Sequence, residues 1–319
     1  TFTDFPDMDP TLAPQLNAWA ETVQSNDGAM DPALTFKPVS VPAEDDDGYP
    51  TLAPKITILR DASPAVGPFD YRVTQALGRG GMGEIHAAQQ RVLRRPVALK
   101  MLLPDLRGRA SAESRFVSEA LITGRLQHPN IVPVHDLGRT RDGDLFMGMK
   151  LVRGETLSDL LLREPATDAP RMRRMLDIFI RLCDAMAYAH QQGVLHRDLK
   201  PDNVMVGEFS EVQVMDWGIA TESDPSLRSA RESGPCGTPR YMSPEQAAGN
   251  AQLLGPASDV YLLGAMLYQV LTGVPPHRGK TLQRTLMAAL RGDVTPPSER
   301  APDRWIPSDL EDLCMAALQ

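Results

Sequence analysis

Residues 196–206, HRDLKPDNVMV, and 215–220, MDWGIA, constrain this chain more than any other feature. Asp198 precedes Lys200 by two positions and Asn203 by five, and a second aspartate, Asp216, follows that asparagine by 13 positions. Taken singly, Asp198 has an ordinary explanation as a helix cap and Asp216 as a turn residue. Taken together, their order and spacing are demanding and indicate a catalytic site.

A second pattern, LGRGGMGEI at 77–85, has the spacing Gly-x-Gly-x-x-Gly. Two unrelated structures use this spacing: the turn of a dinucleotide-binding fold, and the hairpin that protein kinases place over ATP. The first needs a helix directly after the glycines and an acidic residue about 20 positions on. Here a strand is predicted after the glycines, and the residue 22 positions after Gly78 is the cation Lys100. Both departures favour the hairpin.

The pattern of the chain changes near residue 155. Before it, short alternating segments predict strands at 71–78, 84–90, 95–102, 131–138 and 145–152, with a helix near 110–126. Beyond it the pattern is helical, and 171–193 has apolar residues three and four apart and ends on Gly193, a typical C-cap. We therefore expect an α+β fold of two lobes, a small β-rich lobe followed by a larger helical one.

Residues 1–68 differ from the rest in composition. They hold 10 of the 28 prolines, the run EDDD at 44–47, and 3 Lys and Arg against 11 Asp and Glu. Such a segment buries too little apolar surface to offset its ordering entropy, so we expect a mostly disordered, acidic, Pro-rich extension. Two stretches are exceptions that could dock on the body of the protein: 13–24 as a short helix, and KITIL at 55–59 as an edge strand.

Charge and cysteine content exclude several classes of protein. Residues 69–319 carry 30 residues of each sign, which argues against nucleic acid or an anionic membrane as the main partner. Three scattered cysteines fit neither a disulfide framework nor a zinc site. The apolar run at 260–274 is too short to span a bilayer and predicts a buried helix. We expect a cytoplasmic domain, and an anchor beyond residue 319 stays open.

On these motifs the chain resembles the eukaryotic-like protein kinases, most closely the bacterial Ser/Thr kinases, from about Phe69 to Gln319. The resemblance implies the bilobal kinase fold, with an N-lobe at about 69–149, a linker at 150–154 and a C-lobe at 155–319. It implies transfer of the ATP γ-phosphate to Ser and Thr hydroxyls of protein substrates. Mg²⁺ is the implied cofactor, with Mn²⁺ as an alternative, and self-association for trans-autophosphorylation is a further expectation.

The same resemblance implies roles for individual residues. Asp198 orients the attacking hydroxyl or accepts its proton, and Lys200 steadies the γ-phosphate. Lys100 holds the α- and β-phosphates and pairs with Glu119, while Asn203 and Asp216 bind the metal ion. The ATP-binding set is Leu77, Gly78, Arg79, Gly80, Gly81, Met82, Gly83, Ile85, Ala98, Lys100, Met149, Lys150, Val152 and Met205.

The residues between Asp216 and Glu245 lie where the activation segment of a protein kinase is expected. Within them, GTPRYMSPE at 237–245 is typical of Ser/Thr kinases. Candidate phosphorylation sites or segment residues are Thr221, Ser226, Ser229, Ser233 and Thr238. The resemblance makes Arg197 the cation that pairs with such a phosphate. It makes Thr238 a bridge between Lys200 and Asp198, and Asp259 the buried brace of the catalytic loop.

The sequence departs from the family pattern in three ways. Trp217 stands where the family has Phe, and Lys150 stands where an acidic residue is common. The chain stops at DLEDLCMAALQ, before the arginine that pairs with Glu245 in the family. We therefore expect the last helices of the domain to be missing from this sequence.

Alternative functions remain at this point. A nucleotide-binding pseudokinase would keep the fold without turnover, but Lys100, Glu119, Asp198, Asn203 and Asp216 are all present. A small-molecule kinase of related fold would lack the GTPRYMSPE segment. Tight binding of NAD without binding of ATP would again favour the hypothesis of a dinucleotide-dependent oxidoreductase.

Overall fold

The computed structural model describes residues 71–140, 142–164, 168–224 and 234–319. The predicted extension at 1–68 lies outside the described residues, as do Ser226, Ser229 and Ser233. The described chain divides into two compact units. One, here called the sheet unit, comprises 71–128 and 132–152; the other, the helical unit, comprises 129–131 and 153–319.

The sheet unit is built on five antiparallel strands in the order β1-β2-β3-β5-β4. Their bounds are Tyr71–Arg79 (β1), Gly83–Gln90 (β2), Arg95–Leu102 (β3), Val134–Arg139 (β4) and Leu145–Lys150 (β5). All five predicted strands are confirmed. Side chains alternate across a strand, so Ala98 and Lys100 of β3 point to one face and Val97 and Leu99 to the other.

A 3₁₀ turn at Pro104–Leu106 leads into helix α1, Ala110–Arg125, close to the predicted bounds. Its buried residues include Phe116, Glu119, Ala120 and Thr123, which recur at helical spacing and define one face. The helix packs against β4 and β5. Glu119 is therefore carried inward on the packed face of α1.

The helical unit contains seven α-helices within its described residues. They are Leu157–Arg163 (α2), Ala169–Gln191 (α3), Pro244–Ala247 (α4), Pro256–Thr272 (α5), Leu282–Arg291 (α6), Pro297–Arg300 (α7) and Ser308–Ala317 (α8). Two small sheets accompany them. One joins Gly154–Thr156 (β6), Val204–Gly207 (β8) and Val212–Val214 (β9); the other pairs Val194–Leu195 (β7) with Thr221–Glu222 (β10).

Helices α3 and α5 show how local sequence sets the bounds of an element. The Asp168 side chain accepts a hydrogen bond from the Arg171 backbone N–H and caps α3, which ends just before Gly193 with φ of 73°. Helix α5 begins at Pro256 and ends at Thr272, just before Gly273, whose φ is 80°. Nearly every residue of α5 is buried, which confirms the predicted buried helix. None of the described helices has the length and apolarity needed to cross a membrane.

Candidate active site

The backbone before the predicted catalytic aspartate is held by one buried carboxylate. Asp259, on α5, is fully buried and accepts hydrogen bonds from the backbone N–H groups of His196 (2.8 Å) and Arg197 (2.9 Å). His190 Nε2 lies 2.9 Å from the same carboxylate. Arg197 has a left-handed φ of 68°, a conformation that a non-glycine residue adopts only when its surroundings hold it there. Asp259 therefore fixes the loop that presents Asp198.

Asp198, Lys200 and Thr238 form a closed polar cluster with only 7%, 2% and 6% of their surface exposed. Lys200 Nζ donates to Thr238 Oγ1 (2.9 Å), and that hydroxyl donates to Asp198 Oδ1 (2.7 Å). Lys200 Nζ also lies 3.1 Å from Asp198 Oδ2. The predicted Thr238 bridge is present; the threonine hydroxyl orients Oδ1 of Asp198, and the Lys200 ammonium orients Oδ2.

The electrostatics of this cluster act on Asp198 in opposite directions. Burial raises the pKa of the Asp198 carboxyl, and the nearby charge of Asp216 raises it further. The Lys200 ammonium and the Thr238 hydroxyl lower the pKa again. The carboxylate is thus more basic than an exposed aspartate would be, as suits a group that accepts a proton.

Asn203 lies next to this cluster, at the end of the 3₁₀ turn Pro201–Asn203. Its Nδ2 donates to the backbone oxygen of Asp198 (2.8 Å) and approaches the Asp198 carboxylate at 3.3 Å. This fixes the amide orientation and leaves the side-chain oxygen as the group available to a cation. The Met215 N–H donates to the Asn203 carbonyl, which brings the strand before Asp216 alongside, and Asp216 itself has φ of 60°.

Trp217, the departure from the family pattern, is 1% exposed and packs on His196 with ring centroids 4.6 Å apart. Its indole N–H has no acceptor among the described residues. The larger ring is therefore accommodated, but its buried N–H is a donor that none of the described residues satisfies.

In the sheet unit, Lys100 Nζ and Glu119 Oε1 lie 2.6 Å apart, as predicted. The side chains are 13% and 3% exposed, so this is a largely buried ion pair. It links the central strand β3 to helix α1 and holds the ammonium on one face of the sheet.

Strand register places the other predicted ATP-binding residues of the sheet unit. Ile85 lies opposite Lys100, Met149 opposite Ala98, and Gly78 opposite Ile85, so these residues share the Lys100 face. Lys150 lies opposite Val97, and Arg79 lies opposite Glu84, with which it forms an ion pair; both side chains are therefore on the other face. If a nucleotide binds on the Lys100 face, Lys150 and Arg79 can contact it only through their backbone atoms.

The turn between β1 and β2 requires glycine at one position in particular. A Cβ on Gly83 would come within 2.7 Å of the Met101 carbonyl oxygen. The Gly80 N–H donates to the Gly83 carbonyl (2.8 Å) and closes the turn. Leu77, Gly78, Arg79, Gly80 and Gly81 are exposed, whereas Met82 is buried.

Comparison with known proteins decides the family. The protein kinase domain model matches residues 71–319. The chain belongs to the protein kinase family. The serine/threonine-protein kinases that it resembles include pkn3 of Myxococcus xanthus, 39% identical over 259 residues, and PknB of Mycolicibacterium smegmatis, 39% identical over 253. PknD of Chlamydia trachomatis is 35% identical over 278 residues.

These matches cover 78% of the chain but 46%, 39% and 29% of the respective relatives, so the kinase chain spans less than half of their length. The predicted bacterial-type Ser/Thr kinase domain is confirmed, as is its α+β fold with a β-sheet N-terminal region and a helical C-terminal region. The relatives' names support a Ser/Thr protein kinase over a pseudokinase. The family implies ATP, a divalent metal ion and protein substrates.

The described activation-segment candidates of the kinase domain are both buried. Thr221 lies in β10, opposite Leu195 of β7, and is 4% exposed. Thr238 is engaged by Lys200 and Asp198. Phosphorylation of Thr221 therefore requires β10 to separate from β7, and it stays a prediction.

Sequence reasoning missed two residues that support the site, Gln246 and Gly237. Gln246 donates through Nε2 to the Arg197 carbonyl (2.7 Å), and its Oε1 accepts from the Ser243 N–H (3.2 Å). The word SPEQ at 243–246 has the spacing of a capping box, which is the signal that could have identified it. Gly237 has φ of 113°, and a Cβ there would lie 2.8 Å from the Arg197 carbonyl oxygen.

Sequence reasoning also expected Glu245 to be without its family partner. Within the described residues, Glu245 accepts a hydrogen bond from the Ser258 hydroxyl at the start of α5. The carboxylate is half-buried, so this contact provides part of its solvation.

Proposed function

We propose that this kinase domain transfers the γ-phosphate of ATP to serine and threonine hydroxyls of proteins. The observation that carries the proposal is the buried cluster of Asp198, Lys200 and Thr238, held in place by Asp259. Phosphoryl transfer needs little covalent help from the protein and depends on positioning and on cations around the transferred group. A rigid carboxylate and ammonium about 3 Å apart meet both needs.

In the proposed reaction Asp198 orients the substrate hydroxyl and accepts its proton as the oxygen attacks phosphorus. Its raised pKa makes it a better acceptor than an exposed aspartate. Lys200 places a positive charge beside the oxygens of the γ-phosphate. Thr238 keeps both groups in register, because its hydroxyl accepts from the lysine and donates to the aspartate.

The metal ion proposed is Mg²⁺, with Mn²⁺ as an alternative, held by Asn203 and Asp216. One amide oxygen and one carboxylate suit Mg²⁺, which takes few protein ligands and completes its coordination with phosphate oxygens and water. The amide orientation of Asn203 fits, since its Nδ2 is engaged by Asp198. When held there, the ion would supply positive charge to the phosphate oxygens.

ATP is proposed to bind through the residues that the family resemblance implies. Lys100, positioned by Glu119, binds the α- and β-phosphates. The remaining proposed contacts are Leu77, Gly78, Arg79, Gly80, Gly81, Met82, Gly83, Ile85, Ala98, Met149, Lys150, Val152 and Met205. The adenine ring of ATP would have room beside Ala98, because the alanine side chain is a single methyl group.

Control of activity is proposed to run through the activation segment. Ser226, Ser229 and Ser233 are the candidate acceptors, with Thr221 as a further one, and self-association would allow one copy to phosphorylate another. Arg197 would pair with the phosphate. ATP and reduced cysteines are both found in the cytoplasm, which is where we propose that the domain works.

The proposal is tested by incubating the protein with a generic basic protein substrate, ATP and Mg²⁺, followed by phosphoamino acid analysis. We expect phosphoserine and phosphothreonine and no phosphotyrosine. Lys100→Met should abolish the product, while Lys280→Met, at an exposed lysine of the helical unit, should leave it unchanged. Binding of the nucleotide without formation of any phosphoamino acid would instead support the alternative, a nucleotide-binding pseudokinase.

A further inference from the structure

A polar pair lies buried in the helical unit, beside helix α5. Tyr261, on α5, and His277, between α5 and α6, are 3% and 1% exposed. The Tyr261 hydroxyl and His277 Nε2 lie 2.8 Å apart, and the two rings are stacked with centroids 6.0 Å apart and planes at 9°. Most of the buried surface of α5 is apolar, so this hydrogen-bonded pair is an exception within it.

Both members of the pair are neutral. Burial lowers the pKa of His277 to about 4, and the nearby Met242 carbonyl opposes this shift, although no described residue forms a hydrogen bond with the ring Nδ1. Burial, and after it the charge of Glu245, raises the pKa of the Tyr261 hydroxyl. At pH 7 a protonated phenol therefore meets an uncharged imidazole, and loss of either group would leave the other buried without its partner.

His277 also contacts the turn that begins at Thr238, here called the Thr238 turn. The His277 backbone N–H donates to the Arg240 carbonyl at 3.3 Å. The turn is closed by the backbone N–H groups of Tyr241 (2.9 Å) and Met242 (3.2 Å), which both donate to the Thr238 carbonyl. A side-chain hydrogen bond to α5 and a backbone hydrogen bond to the Thr238 turn thus meet at one residue.

The Thr238 turn carries the hydroxyl that bonds to the proposed catalytic group. Thr238 Oγ1 donates to Asp198 Oδ1 at 2.7 Å. Asp259, two positions before Tyr261 on α5, accepts hydrogen bonds from the two backbone N–H groups just before Asp198. Because an α-helix has about 3.6 residues per turn, residues two positions apart lie on nearly opposite sides of it. Helix α5 therefore supports the site on two sides, through the catalytic loop and through the Thr238 turn.

A second hydrogen bond ties the Thr238 turn to α5. The Tyr241 hydroxyl donates to Gln269 Oε1 at 2.5 Å. Gln269 follows Tyr261 by eight positions, a distance of about 12 Å along the helix. The turn is thus held at two separate points, so loss of one of them should loosen the turn without releasing it.

We propose that the Tyr261–His277 pair positions Thr238 and, through Thr238, the carboxylate of Asp198. His277 acts through the Thr238 turn and is therefore a positioning residue. The effect on the turn stands on these contacts alone, whereas the effect on phosphoryl transfer rests on the proposed function.

The first test is hydrogen exchange on the 319-residue chain, followed at single amides by NMR. Tyr261→Phe keeps the ring and removes the hydroxyl. The matched control, Tyr268→Phe, removes a hydroxyl of the same helix that donates to the Thr295 carbonyl at 2.9 Å. We expect exchange at the Tyr241 and Met242 amides to become at least about fivefold faster in Tyr261→Phe and to stay unchanged in the control. Amides of β9 serve as the internal reference for global unfolding.

The second test is a double-mutant cycle, which separates positioning from a general loss of stability. If the pair acts through Thr238, Tyr261→Phe should lower the rate of phosphate transfer about threefold in the unsubstituted chain and have no further effect beside Thr238→Ala. His277→Phe removes the same hydrogen bond from the other side and should behave like Tyr261→Phe. KM for ATP should not change, since the nucleotide is proposed to bind through other residues.

Two results would overturn the inference. One is exchange at the Tyr241 and Met242 amides that is equal in Tyr261→Phe and in the unsubstituted chain. The other is a loss of rate that is the same with and without Thr238→Ala. A chain that transfers no phosphate but shows the expected exchange would contradict the proposed function and support the positioning of Thr238.

Discussion

At the scale of single residues, Thr238 acts on both the position and the protonation of the proposed catalytic group, Asp198. Its hydroxyl lowers the pKa of Asp198, against the raising effect of burial. Removing the hydroxyl leaves one carboxylate oxygen without its donor in a site that is closed to solvent. Such an unsatisfied buried group costs about 1–3 kcal/mol.

Thr238→Ala is therefore expected to raise the pKa of Asp198. Because the deprotonated carboxylate is the proposed proton acceptor, the ascending limb of the pH–rate profile should move to higher pH. The phosphotransfer rate should fall about tenfold through looser positioning of Asp198 and Lys200. Thr238→Ser keeps the hydroxyl and should retain the original profile; a shift in the serine variant equal to that in the alanine variant would contradict the account.

Trp217 is a residue-scale case in which size and polarity oppose each other. Its ring is buried against His196, but its N–H has no acceptor within the described residues. Trp217→Phe loses contact area, which destabilises the protein. It also removes an unsatisfied buried donor, which costs about 1–3 kcal/mol, so the two effects nearly cancel. We expect the stability in urea unfolding to change by less than about 1 kcal/mol, against a loss of roughly 3–5 kcal/mol for Trp217→Ala. A large loss in the phenylalanine variant would show that the indole N–H has a partner.

At the scale of elements, helix α5 determines the shape of the catalytic loop through Asp259. One carboxylate satisfies two backbone donors and the His190 ring, and the strained Arg197 backbone depends on it. Asp259→Ala should lower the free energy of unfolding by roughly 3 kcal/mol and speed amide exchange at 196–198. Asp303→Ala, at an exposed aspartate, should change stability by less than about 0.5 kcal/mol. Equal changes in stability for the two substitutions would contradict the conclusion that Asp259 holds the catalytic loop.

The elements themselves were largely predictable from sequence. Strand alternation in RPVALKML, the apolar spacing of 171–193 and the terminal Gly193 gave the strand and helix positions because each is a local property of the chain. The catalytic constellation was predictable for a different reason, namely fixed spacing between polar residues of a known family. Asp259 was expected as a brace by the same resemblance.

Properties that depend on tertiary packing were not predictable. Nothing local in the sequence shows that Thr221 is buried opposite Leu195, or that the Gln246 amide reaches the Arg197 carbonyl. The burial of Val97 and Leu99 on the face opposite Lys100 is of the same kind, since alternation alone assigns them to a face and does not show that Tyr71 and Met101 pack there. These features arise where distant segments meet, which single-sequence patterns do not encode.

At the scale of the whole molecule, each unit holds proposed functional residues that are fixed by contacts within that unit. The sheet unit supplies Lys100, fixed by Glu119 through a buried ion pair. The helical unit supplies the Asp198 cluster and the proposed metal ligands Asn203 and Asp216.

The central claim is that Asp198 accepts the proton in phosphoryl transfer to Ser and Thr. The most direct measurement is intact mass with peptide mapping after incubation with ATP and Mg²⁺, for the unsubstituted chain, Asp198→Asn and the matched control Asp202→Asn, an exposed carboxylate four positions away. We predict phosphate on Ser and Thr in the unsubstituted chain and the control, and none in Asp198→Asn. Equal phosphate in Asp198→Asn and the control would contradict the account.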